Sequence, residues 1–291
     1  MNVTQINGWY MATDNRIGEW STVYQNPTPE QEFNANIVRS FFLNENWSLE
    51  AICGMLGCMQ GESTINPAFI QATNRYRLPN NAADISDVPN IIMKNFYKEY
   101  YAVTNRAFAI GIVQWDGYTN ATVPGGTEKQ QKLVSYAMRN NIIWYDGWTQ
   151  MYRLKGEQEY DVNNQTHAFF QAVTISGITY DFNNYPYATA SPEILAEAWT
   201  AGYERNAGGV GYRAGNARWW YNYFTDPLAP AVIPPQNFLL PLQESAILPP
   251  FDPTNPVMPN PPGFDYMPAW LSCIVANINK RKVMKKRWTK V

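Results

Sequence analysis

Glu62 closes the run Ala51-Ile-Cys-Gly-Met-Leu-Gly-Cys-Met-Gln-Gly-Glu-Ser-Thr-Ile-Asn-Pro67, an apolar helical stretch ending in Glu-Ser before an Asn-Pro turn. A carboxylate in the last turn of a helix meets the negative end of the helix dipole. Apolar neighbours add a desolvation cost to its charged form. Both effects push its pKa upward, as a group that must donate a proton near neutral pH requires. The pattern supplies a general acid but no substrate, and its plainer reading is a solvated glutamate at a helix end. Other chemistries are narrowed by composition. The chain has one histidine, His167, where zinc hydrolases use two or three, and its three cysteines form no CxxC pair. A Ser-His-Asp triad would have to use that same histidine, and no GxSxG elbow accompanies it, so His167 reads as structural. The glycine-rich run 208–215 lacks the Gly-Lys-Ser/Thr of a phosphate loop. No metal and no cofactor are expected, and catalysis would rest on carboxylates.

Several elements must position Glu62. Ser48 caps its helix, and Ile52, Met55, Leu56 and Met59 form the apolar face. Gly54, Gly57 and Gly61 leave room for another element to approach closely. Thr28-Pro29 starts an earlier helix in which Phe33, Ile37 and Phe41 make a buried stripe. Helical signals recur around 91–101, 127–140, 164–175, 192–204 and 216–224, while 108–115 (FAIGIVQW) reads as a short strand or buried turn. Residues 1–28 carry Trp9, Tyr10, Trp20 and Tyr24 without a period, as an extended arm or irregular cap would. The 11 Trp and 19 Tyr suit a packed core or a cleft whose rings stack on sugars, and composition alone does not choose between them. No stretch reaches the roughly 18 apolar residues of a spanning helix. The N-terminus lacks the apolar centre of a secretory signal. Cys53 and Cys58 fall on different helix faces, so reduced thiols and synthesis in a cytoplasm are expected.

The character of the chain changes after Asp226. Of 21 prolines, 13 lie between Pro227 and Pro268, which forbids helix or central strand there. Apolar anchors such as Val232, Phe238, Leu240, Ile247 and Phe251 punctuate the segment, as in a strap laid along a protein surface, its own domain's or a partner's. Trp270, Ile274 and Ile278 then form a short helical stripe. Seven basic residues follow from Lys280 to Lys290 without an acid, leaving 15 basic against 24 acidic residues in the rest. The divisions are an N-terminal arm (1–28), a main domain (29–225), the Pro-rich strap (226–268) and a short amphipathic basic tail (269–291).

Residues 51–67, Gly111-Ile-Val-Gln-Trp-Asp116 and Tyr203-Glu-Arg-Asn-Ala-Gly-Gly209 together resemble the phage tail lysozyme family. The likeness is to the lysozyme domain in tail-tip or tail-knob proteins of short-tailed phages of Gram-positive bacteria. The motif order is also similar to that of goose-type lysozymes and lytic transglycosylases, and covers residues 34–224. The resemblance implies a mostly α, lysozyme-like fold with a small β-hairpin or loop region at the cleft, to which the strap is added. It implies Glu62 as the general acid with Ser63 beside it. Gln114 matches the glutamine that faces the acid across the cleft, Trp115 a sugar platform, and Tyr203 the aromatic near the glycosidic oxygen. Two features depart from the pattern. The long interval from Glu62 to Gln114 marks residues 72–106 as an insertion, and Asp116 stands where relatives often carry an uncharged residue. Glycoside hydrolysis usually takes two carboxylates. Asp116 is the first candidate for the second and Glu204 the next; the competing reading of Asp116 is a turn residue before Gly117.

The implied function is a virion-associated muramidase that cuts the β-1,4 bond between N-acetylmuramic acid and N-acetylglucosamine during genome delivery. It would be made in the host cytoplasm and act on the host wall. Its partners would be peptidoglycan strands, other tail proteins through residues 227–291, and anionic membrane as a further target of the basic tail; no nucleic acid is expected. The alternatives are a lytic transglycosylase on the same bond and a silent structural tail plug.

Overall fold

The computed structural model describes residues 3–12, 26–70, 88–93, 95, 108–116, 129–159, 170–204 and 210–231. These are mostly helical, with three small two-stranded antiparallel sheets. The first helix among the described residues, α1 (Pro29–Asn44), opens on a reciprocal cap: Thr28 Oγ1 accepts the Gln31 N–H at 3.4 Å and Gln31 Oε1 accepts the Thr28 N–H at 3.0 Å. Ile37 and Phe41 are buried as expected, but Phe33 is 40% exposed and packs edge-on against Tyr10. The buried face of α1 is rotated to include Asn34, Val38 and Phe42, because Asn34 is needed inside for its hydrogen bonds.

The second helix, α2 (Leu49–Ser63), begins at Ser48, whose Oγ accepts the Ala51 N–H at 3.1 Å. Every residue from Ala51 to Gln60 is buried, as befits a helix apolar on all sides. It packs chiefly against α6 (Val210–Thr225) and α5 (Pro192–Trp199), and less against α1. The close approach expected at the glycines occurs. A Cβ on Gly54 would lie 2.8 Å from the Leu195 backbone, and one on Gly57 would overlap the Arg213 carbonyl and Ala217. Between α2 and α5 lie α3 (Lys129–Arg139) and α4 (Gly147–Glu159). Trp9, Trp115, Trp144, Trp199 and Trp220 are fully buried, so these aromatics build the core.

Part of the N-terminal arm is regular. Strands β1 (Val3–Ile6) and β2 (Trp9–Ala12) form a hairpin about Asn7-Gly8, whose φ values of 50° and 85° suit the tight turn of an Asn-Gly pair. The hairpin is fastened to the start of α4. Asn7 Nδ2 donates to Asp146 Oδ1 (2.7 Å), Trp148 Nε1 donates to the Asn7 carbonyl (2.8 Å), and the Trp9 ring fills the space beside Gly147. Trp20 and Tyr24 lie outside the described residues. Strands β3 (Ala109–Ile110) and β4 (Trp115–Asp116) flank the turn expected at 108–115. The expected helix at 164–175 is not formed in its described part. Val173–Ile175 is β5, paired with β6 (Ile178–Tyr180) about Ser176-Gly177, another positive-φ turn that ends the helical pattern. Residues 164–169, with His167, lie outside the described residues.

After α6 the chain returns to α1. Arg39 Nη2 donates to the Pro230 carbonyl at 2.6 Å, Asn36 Nδ2 donates to the Ala231 carbonyl at 3.4 Å, and the Arg39 guanidinium lies 4.5 Å from the Phe224 ring centroid. The opening of the Pro-rich segment therefore straps onto its own domain. Its remainder, the basic tail and most of the 72–106 insertion lie outside the described residues. Among the described residues no helix is long and apolar enough to cross a membrane.

Candidate active site

Glu62 sits in the last turn of α2, and the chain leaves that helix through two residues in the left-handed region, Thr64 (φ 56°) and Ile65 (φ 58°). A β-branched side chain there costs on the order of 1–3 kcal/mol. The turn is held regardless. Thr64 N–H donates to the Gln60 carbonyl at 3.2 Å, and Asn34 Nδ2 donates both to the Ile65 carbonyl (2.9 Å) and to the Tyr10 carbonyl (2.7 Å). Buried Asn34 thus couples the N-terminal hairpin to the turn behind Glu62.

Ser63 joins the first motif to the second. Its Oγ donates to the Ile112 carbonyl at 2.6 Å. The Ile112 N–H donates to Gln150 Oε1 (2.8 Å), while Gln150 Nε2 donates to the Pro67 (2.8 Å) and Trp144 (3.0 Å) carbonyls. Gln150, fully buried on α4, is therefore the knot between the chain after Glu62, the 111–114 turn and the segment before α4. Gly111 (φ 82°) and Gln114 (φ 55°) shape that turn, and Gln114 Nε2 folds back onto the Gly111 carbonyl at 2.8 Å.

Two expected sugar contacts are corrected by burial. Trp115 is fully buried, its ring packed over Gly111, and offers no platform. Tyr203 is 1% exposed and stacks on Trp199 at 4.5 Å, so it too belongs to the core. Asp116 pairs with Ala109 in β4; its side chain and Gly117, on which the turn reading depends, lie outside the described residues.

Glu62 belongs to a cluster of three charges. Arg213, on α6 and 2% exposed, makes an ion pair with Glu62 Oε1 through Nη2, and the same nitrogen lies 3.2 Å from Glu204 Oε2. Glu204 reaches this point because Thr200–Glu204 winds as a π-helical turn after α5, an irregularity frequent at functional sites. The Glu204 side chain is 8% exposed and that of Glu62 is 24% exposed. Burial opposes the charge on Arg213, but Glu204 and then Glu62 outweigh it and hold the guanidinium above its ordinary pKa. Beneath the cluster, burial and then Glu204 push the Cys58 thiol well up, so it stays protonated. The Tyr212 ring covers Gly61 and lies 5.4 Å from the Arg213 guanidinium.

The structure thus brings Glu62, Ser63 and Glu204 together with Arg213, and ties Gln114 to the same region through its turn. The surroundings expected for Glu62, apolar and dipole-opposed, omitted the cation that stands against it. Arg213 lies 151 residues from Glu62 in the chain. Its sequence signal was indirect: the glycines at 57 and 61 announce a helix at close quarters without saying what that helix carries. Gln150 and Asn34 gave no signal, since isolated polar residues in helical stretches read as surface.

Comparison with known proteins gives two matches. "Morphogenesis protein 1" of Bacillus phage B103 is 27% identical over 197 residues, 67% of this chain but only 40% of that relative. The phage tail lysozyme family matches residues 33–224, the stretch from α1 to the end of α6 that contains all three motifs. The chain belongs to the phage tail lysozyme family.

Proposed function

We propose that this chain is a virion-borne muramidase that cuts the glycan of host peptidoglycan as the phage genome enters, with Glu62 as general acid. The observation that carries the reading is the position of Glu62. It ends the motif helix at the family's acid position and keeps part of its carboxylate open to solvent, while Glu204 is shut away on Arg213. Protonated Glu62 would deliver its proton to the glycosidic oxygen as positive charge develops on the sugar ring. Ser63 and Gln114 would act through the Ile112 and Gly111 carbonyls, fixing the turn beside the acid. Asp116 remains the candidate second carboxylate.

The burial of Glu204 favours one alternative, a lytic transglycosylase, in which the muramic acid 6-hydroxyl attacks and no second carboxylate is needed. The name of the B103 relative supports a role in a virion. Residues beyond Ala231 would carry contacts to other tail proteins, and the basic tail would meet an acidic partner or anionic lipid.

The test is a zymogram on purified peptidoglycan with wild type and Glu62→Gln, followed by mass spectrometry of the digest. Wild type should clear the wall and Glu62→Gln should not, with both folded. Equal clearing would remove Glu62 from its role, and no clearing by wild type would favour a structural tail plug. Anhydromuramic ends would identify the transglycosylase. Their absence, with a loss of about 10²–10⁴ in Asp116→Asn, would identify a hydrolase using Asp116.

A further inference from the structure

We propose that Arg213 is a positioning residue for Glu62 and that Glu204 is its counter-charge, not a second catalytic carboxylate. The proposal rests on reading Glu62 as the acid and explains how an acid can work beside a guanidinium. One buried nitrogen of Arg213 meets both carboxylates. Were Glu62 its sole partner, the whole cationic charge would favour the ionised form of Glu62, the wrong form for a proton donor. Glu204 offsets that charge from the buried side. The cluster of two carboxylates and one guanidinium then carries one excess negative charge, which a single proton removes.

The unequal exposure assigns the parts. Glu204, almost closed off on its π-helical turn, is the permanent partner of Arg213. Glu62, three times more open, is the carboxylate that an approaching glycan can reach. The close seat of α6 on Gly57 and Gly61 sets the position of Arg213, so the guanidinium locates Glu62 Oε1 and leaves its other oxygen to donate. Among the described residues, the other titratable groups coupled to the cluster are Cys58 on α2, Tyr212 on α6 and Tyr185 ahead of α5. Burial is the largest cause that raises each above its ordinary pKa, and the carboxylates add to it, so none of the three brings a competing charge.

The experiment is an NMR pH titration of the Glu62 side-chain carboxyl in the full chain, alongside pH–activity profiles on peptidoglycan. The variants are Glu204→Gln, Arg213→Met and the two combined. Glu204→Gln leaves Arg213 unbalanced, so the Glu62 midpoint and the alkaline limb of activity should move down by about one pH unit. Arg213→Met should move both up by a similar amount, and the double variant should fall between the singles. A structural role alone would lower stability without opposite displacements. If Arg213→Met does not fold, the double variant, which leaves no unbalanced Glu204, compared with Glu204→Gln isolates the arginine. An unmoved Glu62 midpoint in Glu204→Gln, or loss of the acidic limb there, would overturn the proposal and return Glu204 to the role of base. Should wild type cut no glycan, the muramidase reading fails, while the Glu62 midpoints still decide the charge arrangement.

Discussion

Replacing Gln150 by leucine should be among the most damaging single changes in this protein. The amide serves three buried backbone groups, the Ile112 N–H and the Pro67 and Trp144 carbonyls, at 2.8–3.0 Å. Leucine fills a similar volume and serves none of them. Each buried group left without a partner costs about 1–3 kcal/mol, so the total comes to about 3–5 kcal/mol even with some relaxation. A domain of this size loses about 2–4 °C of Tm per kcal/mol, which predicts a fall of about 10 °C in a calorimetric or circular dichroism melt. Gln150→Glu adds a signed test. Its carboxylate would face two carbonyls, so the folded state favours the protonated acid and its pKa lies above the ordinary value near 4.3. The folded state then binds more protons than the unfolded one, and stability falls as pH rises through and above that value. A Tm within about 3 °C of wild type for Gln150→Leu, or a Gln150→Glu protein that gains stability as pH rises, would refute the account of Gln150 as the knot of the site.

Other expectations are equally direct. Gly57→Val places a side chain into the Arg213 carbonyl and should destabilise by about 3 kcal/mol or more, whereas Gly215→Ala, with open space around it, should raise stability by about 0.5–1 kcal/mol; chemical denaturation measures both. Cys53 and Cys58 are buried with raised thiol pKa values, so iodoacetamide should label neither in the native protein and both after unfolding, as peptide mapping would show. A chain cut after Asp226 loses the carbonyls that Arg39 and Asn36 donate to, and should melt about 5 °C below one cut after Ala231; equal melting would show that the return over α1 contributes nothing.

Local physics made some of this readable before any coordinates. The caps at Thr28 and Ser48, the glycine steps of α2 and the FAIGIVQW turn are each written in a few adjacent residues, and the structure follows them. The terminal hairpin was readable in principle from Asn7-Gly8, but its four-residue strands show too little alternation to stand out. Helix α4 was hidden because its cap, Asp146, is followed by a glycine that only the Trp9 ring explains. The misplaced sugar contacts have a different origin. Trp115 and Tyr203 lie in motif segments, and a motif fixes where a residue stands in the chain, not whether its ring faces inward. Arg213 was out of reach because nothing near Glu62 in sequence indicates which distant cation will neutralise it.

The fastenings of this domain also dictate an order of events during synthesis. Asn7 bonds to Asp146 across 139 residues, Ala51 to Tyr185 across 134, and Glu62 to Arg213 across 151. At ribosomal speed, an interval on the order of ten seconds separates the emergence of Glu62 from that of its partner. Throughout that interval α2, apolar on every side, lacks the helix that later covers it. A largely helical chain would then fold as late as one dominated by distant pairings. Until α6 has left the ribosome, the apolar surface of α2 lacks its main cover within the chain.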